Sequence, residues 1–173
     1  DIHAVAAKRL EESSAGLYLQ RSRVGEPVTA TIAIPTPAPF AFDVLADPTT
    51  ATVIDPAVRE YRPNELPMRV GIVSSMRFRM WGLPVRARSE VREWEPGRRM
   101  VMVSVHPARP VRVTAEHRFE ADGESSCRYT WAIECEPVGW LGRPAAKAMA
   151  SFWRSNATAQ QPRLKAEVER RWA

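Results

Sequence analysis

The chain has 173 residues, and its 25 basic against 20 acidic residues give a net charge of +5. That length suits one domain, which buries roughly 70% of the surface its unfolded form would expose. No run of apolar residues is long enough to span a membrane, and the first residues lack the charged, apolar and small-residue order of an export signal, so a cytoplasmic protein is expected. Only Lys8, Lys147 and Lys165 are lysine; the rest of the basic residues are arginine, a skew that suits a GC-rich, bacterial genome.

Residues 1–27 form a preface. Ile2, Val5, Ala6 and Leu10 stand at helical spacing before "SSAG" interrupts them, so this arm reads as an appended helix or as an extended segment packing on a partner, a second copy among the candidates. "VTATIAI" (28–34) alternates branched and small residues between Pro27 and Pro35 and predicts a strand. In "PTPAPFAFDVLADP", Thr36 is placed to cap a helix, Pro37 sits where a helix tolerates it, and Phe40, Val44 and Leu45 share one side. Pro48 stops that helix, and Pro56, Pro63 and Pro67 then impose short irregular pieces around one brief strand near "VREY".

From 69 to 136 the period is two. Val70, Ile72, Ser74, Met76, Phe78 and Met80 alternate with Arg77, Arg79 and small residues; Val85, Ala87, Ser89 and Val91 alternate with Arg86, Arg88, Glu90 and Arg92. Val111, Val113, Ala115, His117 and Phe119 alternate with Arg112, Thr114, Glu116, Arg118 and Glu120, and Cys127, Tyr129, Trp131, Ile133 and Cys135 with Arg128, Thr130, Ala132 and Glu134. Four or five antiparallel strands with one wet and one dry face follow, joined at "WGLP", "EPGR", "HPARP" and "ADGES". "RMVMVSVH" is apolar at both parities, so the side taken by His106 stays open.

The last stretch, from about 143 to 172, predicts a helix with Ala145, Ala148, Met149, Phe152, Asn156 and Leu164 on one stripe, kinked or broken at Pro162. The fold expected is α+β: two short helices after the first strand and one curved antiparallel sheet wrapped around a long C-terminal helix, over 28–173.

Three function classes recede at this level. The wet-face arginines are interleaved with Glu90, Glu116, Glu120 and Glu134, and the aromatics face the other way, unlike a nucleic-acid groove. Cys127 and Cys135 stand roughly 26 Å apart on one strand and cannot bridge, which makes them free thiols suited to a reducing compartment. His106 and His117 lie about 20 Å apart, so no metal site is expected.

The dry face is the informative one. A turn centred near Gly123 sets His117 opposite Tyr129, Ala115 opposite Trp131 and Phe119 opposite Cys127. Ser89, His117, Tyr129 and Asn156 are polar groups in an otherwise apolar set, and the alanines of "PAAKAMASFW" leave space between helix and sheet. Burying such groups is costly unless they are satisfied, and an apolar cavity with a few convergent polar groups is the usual form of a small-molecule site.

The order of features resembles the START-like superfamily of helix-grip proteins, often labelled SRPBCC, and within it the polyketide cyclase/dehydrase and lipid-transport group. "TIAIPTPAPFAFDVLADP" (31–48), "EVREWEPGRRM" (90–100) and "AEHRFEADGESSCRYTW" (115–131) carry the likeness, which spans residues 28 to about 171. The resemblance implies a deep apolar cavity between sheet and C-terminal helix and brings no shared catalytic motif; no cofactor is expected. On the residues alone, His117 is the expected base and Tyr129 the expected hydroxyl donor of a cyclase or dehydratase. Met76, Phe78, Met80, Ser89, Cys127, Trp131, Met149, Phe152 and Asn156 would shape the substrate site. A non-catalytic carrier of a hydrophobic small molecule, or an interaction module working through the arm, are the alternatives.

Overall fold

The computed structural model describes residues 10–12, 18–20 and 26–173, and the rest of the N-terminal arm, including the helical spacing of Ile2, Val5 and Ala6, lies outside them. Two short strands, β1 (Leu10–Glu12) and β2 (Tyr18–Gln20), pair antiparallel and continue onto the edge of β3 (Val28–Ile34). The described strands then run β9 (Cys127–Pro137), β8 (Val111–Ala121), β7 (Arg99–His106), β6 (Leu83–Glu95), β5 (Val73–Met80) and β4 (Val58–Pro63) in one antiparallel sheet. The sheet closes on α3 (Gly142–Trp172), while α1 (Ala38–Ala46) and α2 (Ala51–Ile54) follow β3, which is the helix-grip arrangement.

Alternation sets the faces. Val28, Ala30, Ile32 and Ile34 of β3 are buried, as are His117 and Phe119 of β8 and Cys127, Tyr129, Trp131 and Ile133 of β9. In β7 the inward side belongs to Met100, Met102 and Ser104. A register shift between Arg88 and Ser89 pairs Arg88 with His106, which is exposed. The bulge between Val91 and Glu93 turns Trp94 inward, where its ring meets Phe42 edge-on at 5.0 Å. Phe42, rather than Phe40, is the anchor of α1: it is 1% exposed and also meets Phe119.

Three expectations are corrected. Thr36 does not cap α1: the N-cap is Pro37, one residue later, and the Thr36 hydroxyl is buried without a partner among the described residues. Pro162 does not break α3, which is one continuous helix of 31 residues, because the missing N–H frees a single carbonyl, that of Thr158, while the flanking turns stay packed on the sheet. The stripe of α3 is also offset. Asn156 and Leu164 of the expected stripe are buried, but Ala148 is exposed and Ala145 only partly buried, whereas Ala146, Trp153, Ala157 and Val168 are buried beside them. At the far end Arg171 donates to Asp47 and Thr50 and pairs with Glu167, tying α3 to the α1–α2 connection; Arg170 and Arg171 hold the Glu167 carboxyl down at about 2.

The near end of α3 depends on the absence of a side chain. A Cβ on Gly142 would stand 2.8–2.9 Å from backbone atoms of Pro137 and Pro110. Gly142→Ala is therefore expected to cost about 1–3 kcal/mol by overpacking. The loss should be read as a lower urea midpoint with an unchanged denaturant slope.

Candidate functional site

Between the dry face of the sheet and α3 lies a cavity of about 390 Å³. Its walls come from β4 to β9 and α3, with Leu45, Ala46, Ala51 and Ile54 of the two short helices at one side. Met68, Met76, Met80, Met100, Met102 and Met149 all line it, and these are the six methionines of the chain. Thioether side chains are unbranched and polarisable, so such a wall adapts its shape to what it holds. The lining residues Arg88, Pro107, Arg109 and Pro110 are exposed, which places the opening at the β7–β8 loop.

The expected site residues divide into two groups. His117, Trp131, Met76, Phe78, Met80, Ser89 and Met149 line the cavity. Tyr129, Cys127, Phe152 and Asn156 do not, and each is used elsewhere. Phe152, partly buried, packs against Phe78, Trp81 and Trp153 at the margin of the core. Cys127 is buried at the start of β9, and burial pushes its thiol up to about 11; Cys135, partly buried, is pushed to about 11 by the same cause, and both are free. Asn156 donates from Nδ2 to Asp55 at 3.0 Å.

Tyr129 sits one layer behind His117. The observed register pairs His117 with Trp131 and Phe119 with Tyr129, a shift of two residues from the expected pairing, because residues 122–126 form a five-residue loop closed by Asp122 N–H donating to Ser126 O at 2.9 Å. A two-residue shift keeps every side chain on its face and changes only its neighbours. His117 and Tyr129 are therefore diagonal rather than opposed, and still hydrogen-bonded, Nδ1 to the phenol oxygen at 2.8 Å. The two rings lie nearly parallel, with the Tyr129 ring also stacked on Phe119.

That contact fixes a tautomer. The Tyr129 hydroxyl is buried, and His117 Nδ1 is its hydrogen-bond partner among the described residues. A buried O–H requires an acceptor, so the phenol donates and Nδ1 accepts. The neutral imidazole then carries its hydrogen on Nε2, the ring nitrogen left for a ligand. Burial holds His117 down to about 4 and raises the Tyr129 phenol far above its ordinary range, so both are uncharged near neutrality.

Other polar groups at the cavity gave no usable signal in the sequence. Asp55, at the end of α2 in the proline-rich stretch, lines the wall and accepts from Ala57 N–H at 2.8 Å and from Asn156. Burial nonetheless raises its carboxyl above the ordinary range. Gln160 and Trp153 of α3 lie on the wall as well, and the Gln160 Oε1 atom is buried with no partner among the described residues. Only the offset of the α3 stripe could have pointed to these two. No cluster of metal-ligating side chains occurs among the described residues, and no helix is long and apolar enough to cross a membrane.

Residues 27–169 match the family model described as polyketide cyclase / dehydrase and lipid transport. No curated protein matches the sequence of the chain. Among solved structures, the chain is similar to the Zhui aromatase/cyclase of a Streptomyces species, with a TM-score of 0.72 and 19% identity over 85% of this chain and 95% of that one. It is also similar to the STAR-related lipid transfer protein of Xanthomonas axonopodis, with a TM-score of 0.69 and 11% identity over 93% of this chain and 98% of that one. A START superfamily protein of Mycobacterium smegmatis gives a TM-score of 0.65 at 12% identity, covering 84% and 99%. At these identities the likeness is one of fold.

Proposed function

This chain belongs to the polyketide cyclase / dehydrase and lipid transport family, and from that premise we propose that it binds a hydrophobic, carbonyl-bearing small molecule and closes a ring on it, with loss of water. The observation that carries this reading is His117: an uncharged imidazole in the wall of an apolar cavity, its Nδ1 engaged by Tyr129 and its Nε2–H free to donate.

Ring closure on a polycarbonyl chain needs a carbon acid deprotonated and an oxyanion steadied in a dry site. The Nε2–H of His117 meets the second need by donating to a carbonyl oxygen as charge develops there. Asp55 suits the first. Its carboxylate lines the same cavity, and burial makes it a stronger base than an exposed carboxylate. Tyr129 acts through His117 as a positioning residue. Trp131, Phe78 and the methionines supply the shape against which the chain folds, and Ser89 offers a hydroxyl at the wall. No cofactor is invoked in these steps.

The methionine wall supports a second reading, a carrier that holds its ligand without changing it, since an adaptable apolar lining serves retention as well as folding of a substrate. Incubating the purified protein with a synthetic poly-β-ketone thioester and following products by mass spectrometry separates the two. Dehydrated, ring-closed product formed faster than in buffer supports the cyclase. Intact thioester that co-elutes with the protein leaves the carrier. Neither product nor retention removes both.

A further inference from the structure

We propose that the end of the molecule around the cavity opening is a docking face for an anionic membrane surface. The chain topology brings three segments to that end: the β5–β6 turn, the β7–β8 loop and the connection from β9 into α3. Two of them touch there, and the third reaches α3 itself. Val138 N–H donates to Pro110 O at 2.8 Å, and Trp81 meets Phe152 of α3 with ring centroids 6.0 Å apart.

These segments share one charge. Residues 79–89, 105–113 and 138–166 contain no Asp or Glu, in a chain with 20 of them. Arg79, Arg86 and Arg88 of the hairpin, Arg109 of the loop, and Arg143 and Lys147 of α3 are exposed, and none makes an ion pair with a described residue. Other outer-face arginines are answered, Arg77 by Glu60, Arg92 by Glu90 and Arg128 by Asp122, whereas Arg59, Arg98 and Arg163 stand without an ion pair among the described residues, each apart from the others. The two acids of β9 nearest the opening are Glu134 and Glu136, the latter taken up by Arg112.

The same end exposes its large apolar side chains. Trp140 is 87% exposed, Leu83 67%, Trp81 63% and Leu141 50%. Trp81 also holds a positive φ of 50°, followed by Gly82 at 81°. Both central residues of this two-residue hairpin thus take the left-handed conformation that favours Asn or Gly, and a bulky residue there is uncommon. An indole is nevertheless held out into water at the tip. Exposed tryptophan and leucine among unpaired cations is the composition of an interfacial surface: indole rings settle at headgroup depth and arginines meet anionic headgroups.

An acidic protein face would answer the charge and cover the indoles as well; the apolar cavity that opens among them favours the bilayer, where an apolar ligand is dissolved. The proposal deepens the ligand-binding reading, since a cavity opening onto a bilayer takes up its apolar ligand without passage through water. Vesicle binding is measured with no ligand present, so its failure leaves that reading standing.

The test is co-sedimentation of the full chain with vesicles of phosphatidylcholine, with and without about 30 mol% phosphatidylglycerol, and retention on immobilised polyglutamate as a second arm. Binding to the anionic vesicles, absent from the neutral ones and reversed near 1 M salt, is expected. Arg143→Gln with Lys147→Gln should weaken partitioning roughly 25-fold, about fivefold for each cation removed. Trp140→Ala should weaken it too, while its exposure leaves folding unaffected. No vesicle binding overturns the proposal; so does retention on polyglutamate without vesicle binding, which would make an acidic protein the partner; so does binding indifferent to all three substitutions.

Discussion

His117→Ala is expected to lower the rate of ring-closed product formation by roughly 10²–10⁴-fold, the usual contribution of a positioned proton donor or acceptor, while the affinity of the cavity for an apolar naphthalene probe changes little. His117 is one residue in a wall that is mostly hydrocarbon and thioether, so retention of an apolar ligand rests on area that the substitution leaves in place. Tyr129→Phe tests the layer behind. The ring still fills its place between His117 and Phe119, but Nδ1 loses its donor. The imidazole is then free to move its hydrogen to Nδ1, and a loss of about tenfold in rate, matching one net hydrogen bond, is expected at unchanged KM. Nitrogen NMR of His117 supplies the readout that a packing defect would not give: an Nε2–H tautomer in the wild type and a mixture in Tyr129→Phe. An unchanged tautomer would detach Tyr129 from the chemistry. A His117→Ala protein that forms ring-closed product as fast as wild type would remove His117 from the chemistry.

The alternation of residues 111–135 was legible because one side of each strand must be dry, so the facing of His117, Tyr129 and Trp131 followed from parity alone. Their pairing was not. Parity is blind to a slip of two, and only the length of the 122–126 loop decides which residues oppose each other. β7 carried no parity signal, since Met100 and Met102 alternate with Val101 and Val103, and a register shift sends His106 outward after Ser104 faces in. On α3 the alanines drew attention to positions 145 and 148, but the sheet takes the neighbouring row through Ala146 and Trp153; the two rows differ by about one residue around the helix, and hydrophobicity does not choose between them. Asp55 was invisible for another reason. It is held by Asn156, 101 residues away, and stands in a segment whose prolines announce irregular chain and nothing more.

The protein should become less stable as the pH falls from 7 to 5, and His117→Gln should remove that part of the slope. An unfolded histidine titrates near 6.5, whereas burial holds His117 down to about 4. Between those values the unfolded chain binds a proton that the folded one refuses, so stability rises with pH through this window, is complete above about 6.5 and is lost as pH falls toward 4. By pH 5 the loss is about 2 kcal/mol, out of about 3 kcal/mol in all. Asp55 works the other way: its raised carboxyl takes up a proton more readily in the folded state, and acid relieves a cost that burial imposes at neutral pH. Comparing the wild type with His117→Gln cancels that contribution, because the glutamine carbonyl still accepts the Tyr129 hydroxyl and carries no charge at either pH. Urea unfolding at pH 7 and pH 5 measures the difference of differences. Equal losses in the two proteins would mean that water reaches His117 freely, and the dry, uncharged donor on which the proposed chemistry rests would not exist.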